Sequence, residues 1–327
     1  MTKIGIMSFA HPHANSYAAA LNTLDNAALT AIWDDSPRRG RAAAKAFGSK
    51  FVKDLEKFLA MDLDGVIVCS ENVHHRELVE KAAAAGKWIL CEKPLSPATA
   101  DIHAMRTACD KAKVGLGTAF PCRFSPPLIV AHDQIHSGAF GEVYAATCTN
   151  NGTMPGGWFV DEKLAGGGAI MDHTVHVADA LRWITGKEFT KVYCEGGHLL
   201  HKGKFDVDDL GSLHMEMEGG IHISHIASWS RPKSFPTWGD VTMEIICEKG
   251  VIEVDAFRQK IDVYSDAAMK TEWAPYGGDP NLALVRDFVD AIVEKRPPRA
   301  NGIDGLRATE VTVAAYKSLK SQRMVPL

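Results

Sequence analysis

The run Leu63-Asp64-Gly65-Val66-Ile67-Val68-Cys69-Ser70, followed by a helix-like stretch from His75 to Ala85 and by Trp88-Ile89-Leu90-Cys91-Glu92, decides the fold. Val66-Ile67-Val68 is continuously apolar and β-branched, the pattern of a strand buried on both faces. Strand, helix, strand in that order is a crossover unit, and crossovers join parallel neighbours. The same alternation extends upstream. Lys3 to Ser8 reads as a strand, Asn15 to Leu24 as a helix, Ala28 to Asp34 as a strand and Arg39 to Phe47 as an alanine-rich helix. Downstream, Pro97 to Lys111 reads as a helix and Val114 to Ala119 as a further strand. Residues 1–120 are therefore expected to form an α/β domain with a parallel sheet covered on both faces.

The pattern changes after a helix at Pro126 to Ser137. Glu142 to Thr149 reads as a strand. Ser212 to Glu218 alternates, with Leu213, Met215 and Met217 on one face and His214 and Glu216 on the other. Gly219-Gly220 then turns the chain into Ile221 to Trp229. Val241 to Cys247, Val251 to Ala256 and Ile261 to Tyr264 continue the series, and Asn281 to Lys320 returns to helix. Residues 121–327 are expected to form an α+β domain with a large, mostly antiparallel open sheet, its closing helix able to pack back on the first domain. One sheet face should pack on helices and leave the other for a partner subunit.

Bulk properties narrow the function. The 327 residues are 46% hydrophobic and 23% charged, with a formal net charge of -4. No long basic run is present, which argues against nucleic acid or an anionic membrane as partner. No stretch approaches the ~20 apolar residues of a membrane span, and Met1 to Met7 is too short an apolar run for a signal peptide. The seven cysteines are scattered without a Cys-x-x-Cys pair, which suggests buried free thiols in a reducing cytoplasm.

In a doubly wound sheet a ligand sits beyond the carboxyl ends of the strands, where strand order reverses. Four segments end strands at that edge: Ser8-Phe9-Ala10-His11-Pro12-His13, Asp34-Asp35, Ser70-Glu71-Asn72 and Glu92-Lys93-Pro94. A dinucleotide loop usually carries Gly-x-Gly-x-x-Gly, so that the backbone turns tightly against a pyrophosphate. Here those places hold Ser8, Ala10 and His13. Asp34 closes the second strand, where a carboxylate binds the ribose hydroxyls of NAD; alternatively it forms a turn with Asp35-Ser36-Pro37. Arg38 and Arg39 either meet the 2′-phosphate of NADP or stay solvated.

Ile89-Leu90-Cys91-Glu92-Lys93-Pro94-Leu95 resembles the Glu-Lys-Pro signature of the glucose–fructose oxidoreductase, inositol dehydrogenase and MocA (Gfo/Idh/MocA) family. Gly166-Gly167-Gly168 followed by Asp172-His173-Thr174-Val175-His176 and Asp179 resembles its second signature, a glycine-rich turn before Asp-x-x-x-His on a helix. Asn72, His75, Arg123-Phe124, Gly141-Glu142-Val143 and Asp304 to Thr309 are weaker echoes in the same order. The resemblance implies a Rossmann domain and an α+β domain. It also implies hydride exchange between NAD or NADP and a sugar or polyol hydroxyl, and a homodimer or homotetramer. The chain departs from the family pattern at Ser8, Ala10 and His13.

On this reading Lys93, Asp172 and His176 are catalytic. Asp172 and His176, four residues apart, share a helix face: His176 serves as base, and Asp172 orients it or binds a substrate hydroxyl. The resemblance places Lys93 on both the nicotinamide ribose and the substrate oxygen. Asp179 either orients the imidazole or is a surface charge. Cofactor contacts are expected from Ser8, Phe9, Ala10, His11, Asp34, Ser70, Asn72, His75, Glu92 and Lys93, with Asp34 favouring NAD. Substrate contacts are expected from Lys93, Arg123, Trp158, Asp172, His173 and His176. Arg231, Lys233 and Trp238 lie on a loop that reaches either the pocket or a partner subunit.

This reading assigns no metal. A rival groups His11, His13, Asp172, His173 and His176 around Zn²⁺ or Mn²⁺, making a lyase, hydrolase or isomerase. A third reading is a sugar or nucleotide sensor without catalysis. Substituting Lys93 separates them, because only the dehydrogenase loses turnover.

Overall fold

The computed structural model describes residues 1–267 and 269–327. The chain forms two compact units, Met1–Pro121 with Asn281–Leu306, and Cys122–Pro280 with Arg307–Leu327.

The first unit opens with β1 (Thr2–Met7), α1 (His13–Thr23), β2 (Ala27–Trp33), α2 (Pro37–Phe47), β3 (Lys50–Phe51) and α3 (Leu55–Leu59). It continues with β4 (Gly65–Val68), α4 (His75–Ala84), β5 (Trp88–Cys91), α5 (Thr99–Ala112) and β6 (Leu116–Thr118). The sheet order is β3-β2-β1-β4-β5-β6, every pair parallel. Val66, Ile67 and Val68 are fully buried, as expected of a central strand with helices on both faces. A methyl group on Gly5 would lie 2.5 Å from the Phe58 ring, so β1 accepts the helix-side aromatic only with glycine there.

The second unit contains α6 (Pro126–His136), β7 (Val143–Thr153), α7 (Glu162–Ala165), α8 (Ala169–Thr185), β8 (Phe189–Gly197), β9 (Leu210–Met217) and β10 (Ile221–Arg231). After these come β11 (Thr242–Cys247), β12 (Gly250–Asp255), β13 (Lys260–Ser265) and β14 (Lys270–Pro275). The chain ends with α9 (Pro280–Glu294), α10 (Gly302–Ser321) and β15 (Val325–Pro326). Seven strands pair in the order β12-β11-β7-β10-β9-β8-β15. All pairs are antiparallel except β7 with β10. The expected alternation of β9 holds: Leu213, Met215 and Met217 are buried while His214 is exposed. Gly219 and Gly220, both at positive φ (81° and 78°), close the β9–β10 hairpin.

Two expectations change. β13 does not extend the large sheet but pairs with β14 in a separate ribbon. The closing helical region is two helices, broken between Glu294 and Gly302 at Pro297-Pro298. All seven cysteines are buried and unbridged. No helix among the described residues is long and apolar enough to cross a membrane.

Candidate active site

In the first unit the strand order reverses between β1 and β4, so the crevice at their carboxyl ends is the ligand position. Ser8 follows β1 at φ 74°, the left-handed conformation for which glycine is the usual residue. The loop thus keeps the tight turn while carrying a side chain. Ser8 donates its N–H to Trp33 O (2.7 Å), and its Oγ accepts from Ala10 N (3.2 Å). α1 begins at His13, and its first amides are taken locally: His13 N–H donates to His11 Nδ1 (3.2 Å), Ala14 N–H to His11 O (3.1 Å) and Asn15 N–H to Pro12 O (3.2 Å). Phe9 is buried, its ring 6.0 Å from that of Phe47.

Asp34 lies just past β2 and is buried. Its Oδ1 accepts from Ser36 N (2.7 Å), which is the turn the sequence allows. Its Oδ2 accepts from Phe9 N (2.8 Å) and Arg39 Nε (2.9 Å), so the same carboxylate anchors the β1 loop. Burial raises the Asp34 pKa despite these hydrogen bonds. Arg39 is not a solvated charge: it also reaches Asp35 Oδ1 (2.6 Å) and Ser8 Oγ (3.2 Å). A left-handed turn after β1 and a carboxylate after β2 fit a dinucleotide, even without the glycine fingerprint.

Glu92 follows β5 and is fully buried, with its Oε1 3.0 Å from His13 Nδ1 and 3.7 Å from His11 Nδ1. Burial alone would raise its pKa; the His11 and His13 charges, the His13 hydrogen bond and Lys93 outweigh that and hold it far below the usual carboxylate range. Lys93 donates its backbone N–H to Glu92 Oε2 (3.1 Å) and is 3% exposed. His75 is fully buried, with Nδ1 3.0 Å from Pro94 O and Nε2 3.2 Å from Ser70 O. It lies between the Glu-Lys-Pro segment and the loop after β4, its one N–H donating to a carbonyl there, and burial keeps its imidazole pKa below the usual value. Ser70 and Asn72 are buried in that loop.

In the second unit, α8 carries the second signature. The glycines before it serve packing: a Cβ on Gly167 would lie 2.4 Å from Tyr316 Oη, and one on Gly168 only 1.8 Å from Asp208 O. The Asp208 carboxylate accepts from Gly168 N (3.0 Å), Ile170 N (2.7 Å) and Tyr316 Oη (2.7 Å), satisfying the first turn of α8.

Asp172 is partly exposed and His176 is 4% exposed. His176 Nδ1 lies 3.7 Å from Cys122 Sγ. His173 is fully buried, donates from Nδ1 to Asn150 O (2.7 Å), and places Nε2 3.3 Å from Asp172 Oδ2. Trp238 stands edge-on to the His173 ring at 5.1 Å, so the β10–β11 loop reaches the Asp172–His173 region. Arg231 pairs with Asp240 and lies over Phe235. Asp179 is not a surface charge: it is fully buried and binds Arg123 through two bonds, Nε to Oδ2 (2.7 Å) and Nη2 to Oδ1 (2.6 Å). Trp158 and Phe159 stack on each other at 3.9 Å.

Asn150, Cys122, Asp208 and Tyr316 were not legible as site residues, because each acts from a distant segment on a signature residue or on its helix. Among the described residues the one metal-type cluster is His11, His13 and Glu92, all in the first unit.

A family model described as an oxidoreductase family with an NAD-binding Rossmann fold matches residues 4–120. A second, the GFO/IDH/MocA C-terminal domain, matches residues 129–253. The chain is 29% identical over 326 residues to a myo-inositol 2-dehydrogenase of Thermotoga maritima, covering 95% of this chain and 94% of that protein. It is 26% identical over 318 residues to an inositol 2-dehydrogenase of Rhizobium meliloti, with 95% of each covered. Among solved structures, a probable dehydrogenase from Thermotoga maritima superposes with a TM-score of 0.86 at 26% identity, covering 99% of this chain and 98% of that one. These matches are to oxidoreductases, not to the lyase, hydrolase, isomerase or sensor alternatives.

Proposed function

Because the chain belongs to the Gfo/Idh/MocA oxidoreductase family, we propose that it oxidises a secondary ring hydroxyl of a cyclic polyol or sugar, with NAD as acceptor. The observation that carries the reading is Lys93, a nearly buried ammonium side chain next to Glu92, in a segment pinned by His75. A cation held that way steadies an alcohol oxygen as its proton leaves. The inositol dehydrogenases among the relatives make a cyclohexane polyol the first substrate to try.

Bound nicotinamide supplies the two-electron acceptor for the carbon-bound hydrogen. Ser8, Phe9, Ala10 and His11 would line its phosphate loop, Asp34 would meet the ribose hydroxyls, and Ser70, Asn72 and Glu92 would complete the edge. Asp34 favours NAD, since a 2′-phosphate would sit against its carboxylate. His176 takes the hydroxyl proton as general base, oriented at Nδ1 by Cys122. Asp172 binds a neighbouring substrate hydroxyl, beside His173, which Asn150 holds in place. Arg123 acts as a positioning residue through Asp179. Trp158 offers an aromatic face to the ring. The protein is proposed to work in the cytoplasm as a homodimer or homotetramer. Ile226, Ile246 and Val251, exposed on one face of the large sheet, support that association.

Titration with NADH and NADPH, followed by turnover on inositols and hexoses, tests the reading. Micromolar NADH binding is expected, with NADPH weaker and Asp34→Ser narrowing the difference. Lys93→Met should lower kcat by about 100-fold or more with NADH affinity changed only a few-fold. Failure of both nucleotides to bind at millimolar concentration would overturn it.

A further inference from the structure

We propose that His11, His13 and Glu92 form a binding site for one zinc-type divalent cation in the loop between β1 and α1. His11-Pro12-His13 puts two imidazoles two residues apart at the start of α1, and Glu92 arrives from the end of β5. Glu92 Oε1 is 3.0 Å from His13 Nδ1 and 3.7 Å from His11 Nδ1. One ligand atom from each of the three residues lies within 4.8 Å of the others. A tetrahedral ion with ligands at about 2.0–2.2 Å separates neighbouring ligand atoms by roughly 3.3–3.6 Å. The two spacings to Glu92 bracket that range, and the ligand atoms of His11 and His13 lie within 4.8 Å of each other.

His11 Nδ1 lies 3.2 Å from His13 N and 3.7 Å from Glu92 Oε1 in a buried setting, so this nitrogen is within reach of an ion shared with that carboxylate.

The donor set selects the ion. Two imidazoles and one carboxylate suit Zn²⁺ or Co²⁺, whereas Mg²⁺ and Ca²⁺ take oxygen ligands. Glu92 is fully buried and His11 nearly so, while the His13 side chain is 33% exposed. The site is therefore closed by protein on one side and open at His13 for ion entry and a fourth ligand.

The inference does not rest on the dinucleotide reading, and its test uses the metal alone. Metal-stripped full-length protein is titrated with Co²⁺, followed by visible absorption, and then with Zn²⁺ in competition. The expected result is one ion per chain, the intense bands of four-coordinate Co²⁺, and displacement by Zn²⁺. His13→Asn, His11→Asn and Glu92→Gln should each weaken binding about 100-fold. His13 is partly exposed, so its variant decides the matter even if the buried variants fail to fold. No tetrahedral Co²⁺ spectrum, or undiminished binding in His13→Asn, would overturn the proposal; the latter would assign the ion to other histidines.

Discussion

Asp179→Leu should destabilise the second unit and disable the enzyme through a residue that never meets substrate. Asp179 is fully buried and Arg123 is 7% exposed, and the carboxylate takes two bonds from the guanidinium at 2.6 and 2.7 Å. Removing one member of a buried pair strands the other charge, which costs about 3–5 kcal/mol. For a unit of this size that corresponds to a fall in Tm of about 6–20 °C. The pair ties the turn around Cys122 and Arg123 to α8, and Cys122 Sγ sits 3.7 Å from His176 Nδ1. Losing it should therefore lower kcat by displacing His176 while leaving NADH affinity unchanged, since the proposed cofactor contacts lie in the other unit. Thermal and urea unfolding followed by circular dichroism give the stability change, and NADH titration with turnover separates the two functions. Arg123→Met combined with Asp179→Leu should recover most of the stability, because neither charge is then stranded. A Tm for Asp179→Leu within about 2 °C of wild type would refute the reasoning, as would a double variant no better than the single.

His225 is fully buried, and burial pushes its imidazole down to about 3. In the unfolded chain the group titrates near ~6.5, so the unfolded state binds the extra proton between these values. Stability is fully present above pH ~6.5 and falls as pH drops toward 3, by about 2 kcal/mol between pH 7 and pH 5. Urea midpoints measured across that range should fall less steeply for His225→Gln; an unchanged slope would remove His225 as the cause. Gly168→Ala places a methyl 1.8 Å from the Asp208 carbonyl oxygen, so α8 cannot start where it does. The expected result is a large loss of folded protein in expression and melting assays, whereas Gly186→Ala, with no atom within 4 Å of its Cβ, should show only the strain of its φ of 66°.

Local period made much of the fold legible. Val66-Ile67-Val68 had the continuous apolar run of a central parallel strand, and Ser212 to Glu218 the alternation of a half-exposed one. β8 escaped because a register shift between Phe189 and Lys191 breaks its period of two. β3 and β15, two residues each, are too short to show a period at all. The parallel pairing of β7 with β10 depends on how long connections return, which no local pattern encodes. The candidate site divides the same way. Helical spacing put Asp172, His176 and Asp179 near one another on α8, and the strand ends located Asp34, Glu92 and Lys93. Their partners came only from tertiary packing: Arg123 for Asp179, Asn150 for His173, and His13 for Glu92, 79 residues apart. The sequence by itself determined which faces seek burial, because that follows from neighbours three, four or two positions away. Which buried charge meets which, and hence whether a residue anchors, positions or reacts, was decided by the folded structure, where low-dielectric contacts form between segments the chain keeps far apart.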